Sequence, residues 1–296
     1  MKRKQVLFRG CGTALVTPFT KDDVDFSALD QLLDAQLAGG VDALIACGTT
    51  GEPSTMSDDE QLQVVRHILR RVNGRLPVIA GVGGNHTAHC VLACKQMRDA
   101  GANGLLAVTP YYNKTTQAGL IAHYTALADA TTLPLILYNV PSRTGLNLLP
   151  ETLDRLADHP QITAIKEASG DISQITEMMR RCADRISFYS GNDDHVLPLL
   201  ALGAEGVISV ASNLIPAQMH ALVSSYFAGD IAHARALQFA INPLARALFL
   251  EVNPIPIKTA LRLCGIPVGS VRLPLVEMQP DTLQKLSVTL HDMHLM

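Results

Sequence analysis

Short, uninterrupted apolar runs rich in β-branched residues alternate with longer amphipathic segments along most of this chain, and no other feature restricts its fold as strongly. The runs are Thr13 to Thr17, Ala43 to Cys47, Val78 to Ala80, Leu105 to Val108, Leu135 to Tyr138, Ile162 to Ile165, Ile186 to Tyr189 and Val207 to Val210. Continuous rather than alternating apolar character is the pattern of strands buried on both faces, so a parallel sheet covered by helices is predicted. Helical patterns fall near Ser27 to Ala38, after Ser57, and over Thr87 to Ala100, Gln117 to Thr131, Pro150 to Ala157, Ile172 to Ala183, Asp194 to Leu202 and Pro216 to Ala228. Ser27 reads as the first cap, and Ser57 with Glu60 as a capping box. Repeated βα units over about 220 residues fit a (β/α)8 barrel. A doubly wound open sheet is the alternative, although the first βα turn carries no Gly-rich phosphate loop.

Strand signals stop at Asp230. Helices are predicted near Ile231 to Glu251, Ile257 to Cys264 and Asp281 to His294, separated by Asn253-Pro254-Ile255-Pro256 and the Pro267 to Pro280 loop. The expected division is a catalytic barrel over 1–229 and a helical extension over 230–296.

A chain of 296 residues, 48% hydrophobic, has room for one large core. Its net charge of -3 and scattered basic residues leave no footprint for nucleic acid or an anionic membrane, so a small neutral or anionic metabolite is the expected partner. Met1-Lys2-Arg3-Lys4 resembles a signal-peptide start, but Val6-Leu7-Phe8 is too short for its apolar region and Arg9 interrupts it. A cytoplasmic setting is expected, with Cys11, Cys47, Cys90, Cys94, Cys182 and Cys264 as reduced thiols. Cys90 and Cys94 share a helical face without a zinc-spaced partner pair, so no metal site is expected.

In a βα barrel the reactive groups sit at the carboxyl ends of the strands. There this sequence places Gly48-Thr49-Thr50-Gly51-Glu52, Pro110-Tyr111-Tyr112-Asn113, Tyr138-Asn139-Val140-Pro141-Ser142-Arg143-Thr144-Gly145, Lys166, Ser190-Gly191-Asn192-Asp193-Asp194 and Ile208-Ser209. Lys166 has two readings. An amine where the strand leaves the core loses hydration, its pKa falls, and the neutral form attacks a ketone. Alternatively its ammonium pairs with Glu167 or another carboxylate. The Gly48 to Gly51 turn reads either as a tight turn or as an anion nest, and Arg143 as a solvated loop residue or a carboxylate clamp. His195 is given no role. Jointly, an amine, hydroxyls and two anion sites suit carbanion chemistry on a 2-oxo acid through an imine, which serves as the electron sink a cofactor would otherwise supply.

These segments, with Ile165-Lys166-Glu167-Ala168, Gly206-Val207-Ile208-Ser209-Val210 and Asn253-Pro254-Ile255-Pro256-Ile257-Lys258, resemble the 4-hydroxy-tetrahydrodipicolinate synthase family in order along essentially the whole chain. The resemblance implies cofactor-independent condensation of pyruvate with L-aspartate 4-semialdehyde on the way to diaminopimelate and lysine. It makes Lys166 the Schiff-base residue, Tyr138 the proton shuttle, and Thr49 and Tyr112 the rest of a hydroxyl relay. Tyr112 would come from a neighbouring subunit, which implies a homo-oligomer, expected as a tetramer built from two dimers. Thr50 with the Ile208 backbone nearby is the implied pyruvate side of the site, Gly191 a further implied substrate-binding residue, and Arg143 the binder of the semialdehyde carboxylate. Ser142-Arg143-Thr144 and Tyr111-Tyr112 separate this family from sugar-acid aldolases of the same superfamily, the nearest rival reading. A barrel that binds a 2-oxo acid as a sensor is a third.

Two departures from the family's pattern matter. Pro53 stands where serine is common. In the pocket where lysine-inhibited members hold their effector, candidate regulatory residues Ser54, Asn85, His89 and Tyr111 lie with Asp58 and Gln61, and the usual glutamate is replaced by His89. Weak or absent lysine inhibition is expected.

Overall fold

The computed structural model describes residues 4–21 and 23–296; the basic start at Met1-Lys2-Arg3 lies outside them. In chain order the elements are β1 (Gly10–Ala14), α1 (Phe26–Ala38), β2 (Ala43–Ala46), α2 (Asp58–Val72), β3 (Val78–Gly81), α3 (Thr87–Asp99), β4 (Gly104–Val108) and α4 (Gln117–Asp129). There follow β5 (Leu135–Asn139), α5 (Pro141–Thr144), α6 (Pro150–Leu156), β6 (Ile162–Glu167), α7 (Ile172–Cys182), β7 (Ser187–Ser190), α8 (Val196–Ala201), β8 (Gly206–Ser209), α9 (Pro216–Phe227), α10 (Ile231–Ala247), α11 (Ile255–Leu263) and α12 (Pro280–Asp292). The strands close in sequence order into one barrel, with β8 returning to pair in parallel with β1.

Strand periodicity sorts the core into two layers. Ile45, Ile79, Leu106, Ile136, Ala164 and Ile208 point into the barrel, while Leu44, Leu105, Leu135, Ile165 and Val207 point out beneath the helices. Near the amino-terminal end, Phe8 stacks on Tyr189 with ring centroids 4.3 Å apart, and the Tyr189 hydroxyl donates to the Phe8 carbonyl at 2.6 Å.

Several boundaries differ from the sequence reading for identifiable reasons. β1 spans Gly10–Ala14 rather than Thr13 to Thr17. Glycines on both sides let it fit: a Cβ on Gly206 of β8 would lie 1.8 Å from the Gly10 carbonyl, and one on Gly10 2.0 Å from Asp42 Oδ2. Asp25, not Ser27, caps α1 by accepting from the Ala28 N–H at 2.9 Å. The capping box at α2 is present, with Glu60 N–H donating to Ser57 Oγ and Ser57 N–H to Glu60 Oε2. α10 stops at Ala247, and α11 begins at Ile255 with Pro256 in its first turn, where no N–H is needed. β6 continues through Glu167, so Lys166 lies inside the strand instead of at its exit.

Candidate active site

Alternation along β6 sends Lys166 into the barrel and Glu167 outward. Tyr138 of β5 is the register partner of Lys166, and the Lys166 Nζ sits 4.3 Å from the centroid of the Tyr138 ring. Lys166 is 4% exposed. Burial drives its pKa down to about 7; Arg143 pushes the same way, and Asp193 in the opposite direction. Pairing with Glu167 does not occur. That carboxylate, on the outer face, accepts from Asn139 Nδ2 at 3.0 Å and from the Ser169 N–H at 2.7 Å. Backbone packs tightly against the amine's stem at Gly191, where a Cβ would meet Lys166 Cε at 3.1 Å and Ala168 Cβ at 2.6 Å.

Tyr138 is buried, which raises its pKa, while Arg143 and a hydrogen bond with Thr49 act the other way. The phenol therefore keeps its proton at neutral pH and has a hydroxyl neighbour with which to exchange it. Thr49 opens a tight turn over Thr49–Gly51, which leads into Glu52 at φ 57°. Glu52 is anchored: Lys258 Nζ donates to its Oε1 at 2.7 Å and the Arg272 N–H to its Oε2 at 3.1 Å. Thr50 Oγ1 accepts from Asn253 Nδ2 at 3.0 Å.

Arg143 belongs to α5, a single turn begun by Pro141 within the Pro141 to Gly145 loop. Its guanidinium donates to the Asn253 carbonyl at 3.0 Å. Thr50, Tyr138, Arg143, Lys166 and Gly191 all line one cavity of about 470 Å³. Ile208 is fully buried among the barrel's inward side chains, and Val210 rather than Ile208 lines this cavity.

A larger cavity of about 940 Å³ shares Tyr138, Val140, Ser142 and Arg143 with the first, and continues past Thr49 to Ser54, Asp58, Asn85, His89, Tyr111 and Tyr112. Within it Asp58 and His89 are paired at 2.8 Å. Tyr112 stands at the rim, 89% exposed and at φ 68°, and this chain alone does not seat it beside Tyr138. His195 ends a short turn over Asp193–His195 before α8. Asn253 is the site residue whose role sequence reasoning missed. Its motif was visible, but nothing in a segment so far past the last strand says that it folds back over the first βα loops.

The fold and site define a class: (β/α)8 barrels with a desolvated lysine in the sixth strand, a phenol beside it, and a threonine and an arginine lining the same mouth. The model of the dihydrodipicolinate synthetase family matches residues 7–293, and the chain belongs to that family. It is 53% identical over 287 residues to the 4-hydroxy-tetrahydrodipicolinate synthase of Caldicellulosiruptor bescii, covering 97% of each chain. Among solved structures, dihydrodipicolinate synthase from Thermotoga maritima superposes with a TM-score of 0.96 at 44% identity, covering 98% of this chain and 100% of that one. A monomeric dihydrodipicolinate synthase variant gives 0.95 at 44% identity and 98% coverage of both.

Proposed function

We propose that this chain condenses pyruvate with L-aspartate 4-semialdehyde to give 4-hydroxy-tetrahydrodipicolinate, with Lys166 as the covalent centre. The observation that carries the mechanism is the Lys166 amine, buried at the cavity it shares with Thr50, Tyr138 and Arg143, with its pKa lowered to about 7. Neutral Nζ adds to C2 of pyruvate, and the Tyr138–Thr49 pair gives its proton to the carbinolamine oxygen, which leaves as water. The iminium that forms withdraws electrons from C3, while the pair stands deprotonated and ready to accept. The C3 proton passes to the Tyr138–Thr49 pair. The enamine carbon then bonds to the aldehyde carbon, and the same pair returns a proton to the aldehyde oxygen. Finally the amino group of the second substrate displaces Lys166 from C2, which closes the ring and restores the free amine.

Thr50 and the backbone around it serve the pyruvate carboxylate in this reading, with Gly191 giving clearance and the Ile208 backbone lying close by. Arg143 takes the carboxylate of the semialdehyde, as a guanidinium fork suits. Residues 1–229 act as the catalytic barrel and 230–296 as its extension. Turnover of both substrates in a coupled assay tests the activity. Arg143→Ala tests the assignment of the second anion site, and should harm semialdehyde use far more than imine formation; equal losses would exclude it.

The reading includes at least a dimer, because exposed Tyr112 completes the relay only if it reaches a neighbouring subunit's site, and a tetramer of two such dimers is the expected form. Free thiols at Cys11, Cys47, Cys90, Cys94, Cys182 and Cys264 suit a reducing, cytoplasmic setting. No helix among the described residues is long and apolar enough to cross a membrane.

A further inference from the structure

We propose that Asn253 is a positioning residue for the first carboxylate, acting by fixing the direction in which the Thr50 hydroxyl gives its proton. This rests on the synthase reading above, in which Thr50 meets pyruvate. Asn253 is 5% exposed and lies in the extension just before α11, at the wall of the cavity that also holds Thr50, Arg143 and Lys166.

A threonine hydroxyl has one proton and two lone pairs, and a carboxylate only accepts. By donating from Nδ2 to Thr50 Oγ1 at 3.0 Å, Asn253 uses a lone pair of that oxygen and leaves its proton free for the anion. The Asn253 Oδ1 has no hydrogen-bond partner among the described residues, so the amide's polar hold on the loop is this one contact.

The backbone of the same residue serves the other anion site. Its carbonyl accepts from Arg143 at 3.0 Å, and its place is set by main-chain bonds on either side. Ile255 N–H donates to the Val252 carbonyl at 2.9 Å and Lys258 N–H to the Pro254 carbonyl at 3.0 Å. Truncating the side chain thus separates the two functions: the Thr50 arm is lost and the Arg143 arm is kept.

The test measures how the yield of borohydride-trapped enzyme depends on pyruvate concentration, the KM for L-aspartate 4-semialdehyde, and the melting temperature, for wild type, Asn253→Ala, Asn253→Asp, Thr50→Val and Thr50→Val/Asn253→Ala. Asn253→Ala should raise the pyruvate half-saturation about tenfold, the scale of one hydrogen bond to a charged group, and leave the semialdehyde KM unchanged. In the Thr50→Val background it should add nothing for pyruvate. Asn253→Asp should be worse than alanine, because its carboxylate takes the Thr50 proton and repels the substrate's charge. A packing role would reverse that order, since aspartate keeps the shape of asparagine.

Aspartate milder than alanine, additive losses with Thr50→Val, equal weakening of both substrates, or an unchanged pyruvate response would each overturn the proposal. Should the aspartate variant fail to fold, the alanine and Thr50 cycle decides alone. Wild-type enzyme that cannot be trapped with pyruvate would instead remove the synthase reading, and this inference with it.

Discussion

At the scale of single residues, two neighbours on β6 behave oppositely because the strand turns them to opposite faces. Glu167 finds the Asn139 amide and the Ser169 N–H; Lys166 faces the cavity and takes its pKa of about 7 from burial. At the ordinary lysine value only about one amine in three thousand is neutral at pH 7, whereas here close to half would be. The rate of imine formation with pyruvate should therefore rise with pH up to about 7 and level off above it. A rise that continues toward pH 10 would mean an ordinary amine. Gly191→Ala should impair trapping of pyruvate, because the added methyl would lie 2.6 Å from Ala168 Cβ and 3.1 Å from the Lys166 stem; trapping at the wild-type level would show that the loop yields. Lys166, Tyr138, Thr49 and Arg143 were legible in the sequence because one rule places strand ends on one rim. Asn253 was not, since its partners at Thr50 and Arg143 are set by how the extension folds back.

Among the elements, the clearest structural debt runs between the extension and the first loops. Lys258 of α11 and Glu52 are 1% and 0% exposed and pair at 2.7 Å, and the Lys258 ammonium also donates to the Ser270 carbonyl at 2.8 Å. Lys258→Met should strand a buried carboxylate and cost roughly 3–5 kcal/mol in chemical denaturation, while Glu52→Gln/Lys258→Met should recover much of it. A loss below about 1 kcal/mol would show that water reaches Glu52 readily. The helices around the barrel were read well where caps and apolar periodicity agree, as at Ser57 and Glu60. Sequence reading failed where close backbone approach substitutes for apolar side chains, as at Gly10 and Gly206, and where one helical turn is too short to carry a period, as at Pro141–Thr144.

For the whole molecule, the barrel brings Lys166, Tyr138, Thr50 and Arg143 to one mouth and leaves Tyr112 exposed at the rim of the adjoining cavity. If Tyr112 acts across an interface, co-expressed Tyr112→Phe and Lys166→Ala chains should regain turnover that neither has alone, since one mixed site holds both intact residues. No recovery in an isolated mixed dimer would place Tyr112 outside the relay. The larger cavity bears on regulation. Its Asp58 is already paired with His89, so an added ammonium finds no free carboxylate there, and lysine should inhibit weakly or not at all. An inhibition constant of about 1 mM or tighter in steady-state assay would contradict this.

The proposed chemistry turns on one covalent bond, the imine that holds pyruvate on Lys166. Borohydride added with pyruvate, followed by peptide mass analysis, tests it most directly. A reduced three-carbon adduct should appear on the peptide containing Lys166 and none on the Lys166→Ala protein. An unmodified Lys166 peptide, or an adduct carried by Lys258 instead, would contradict it.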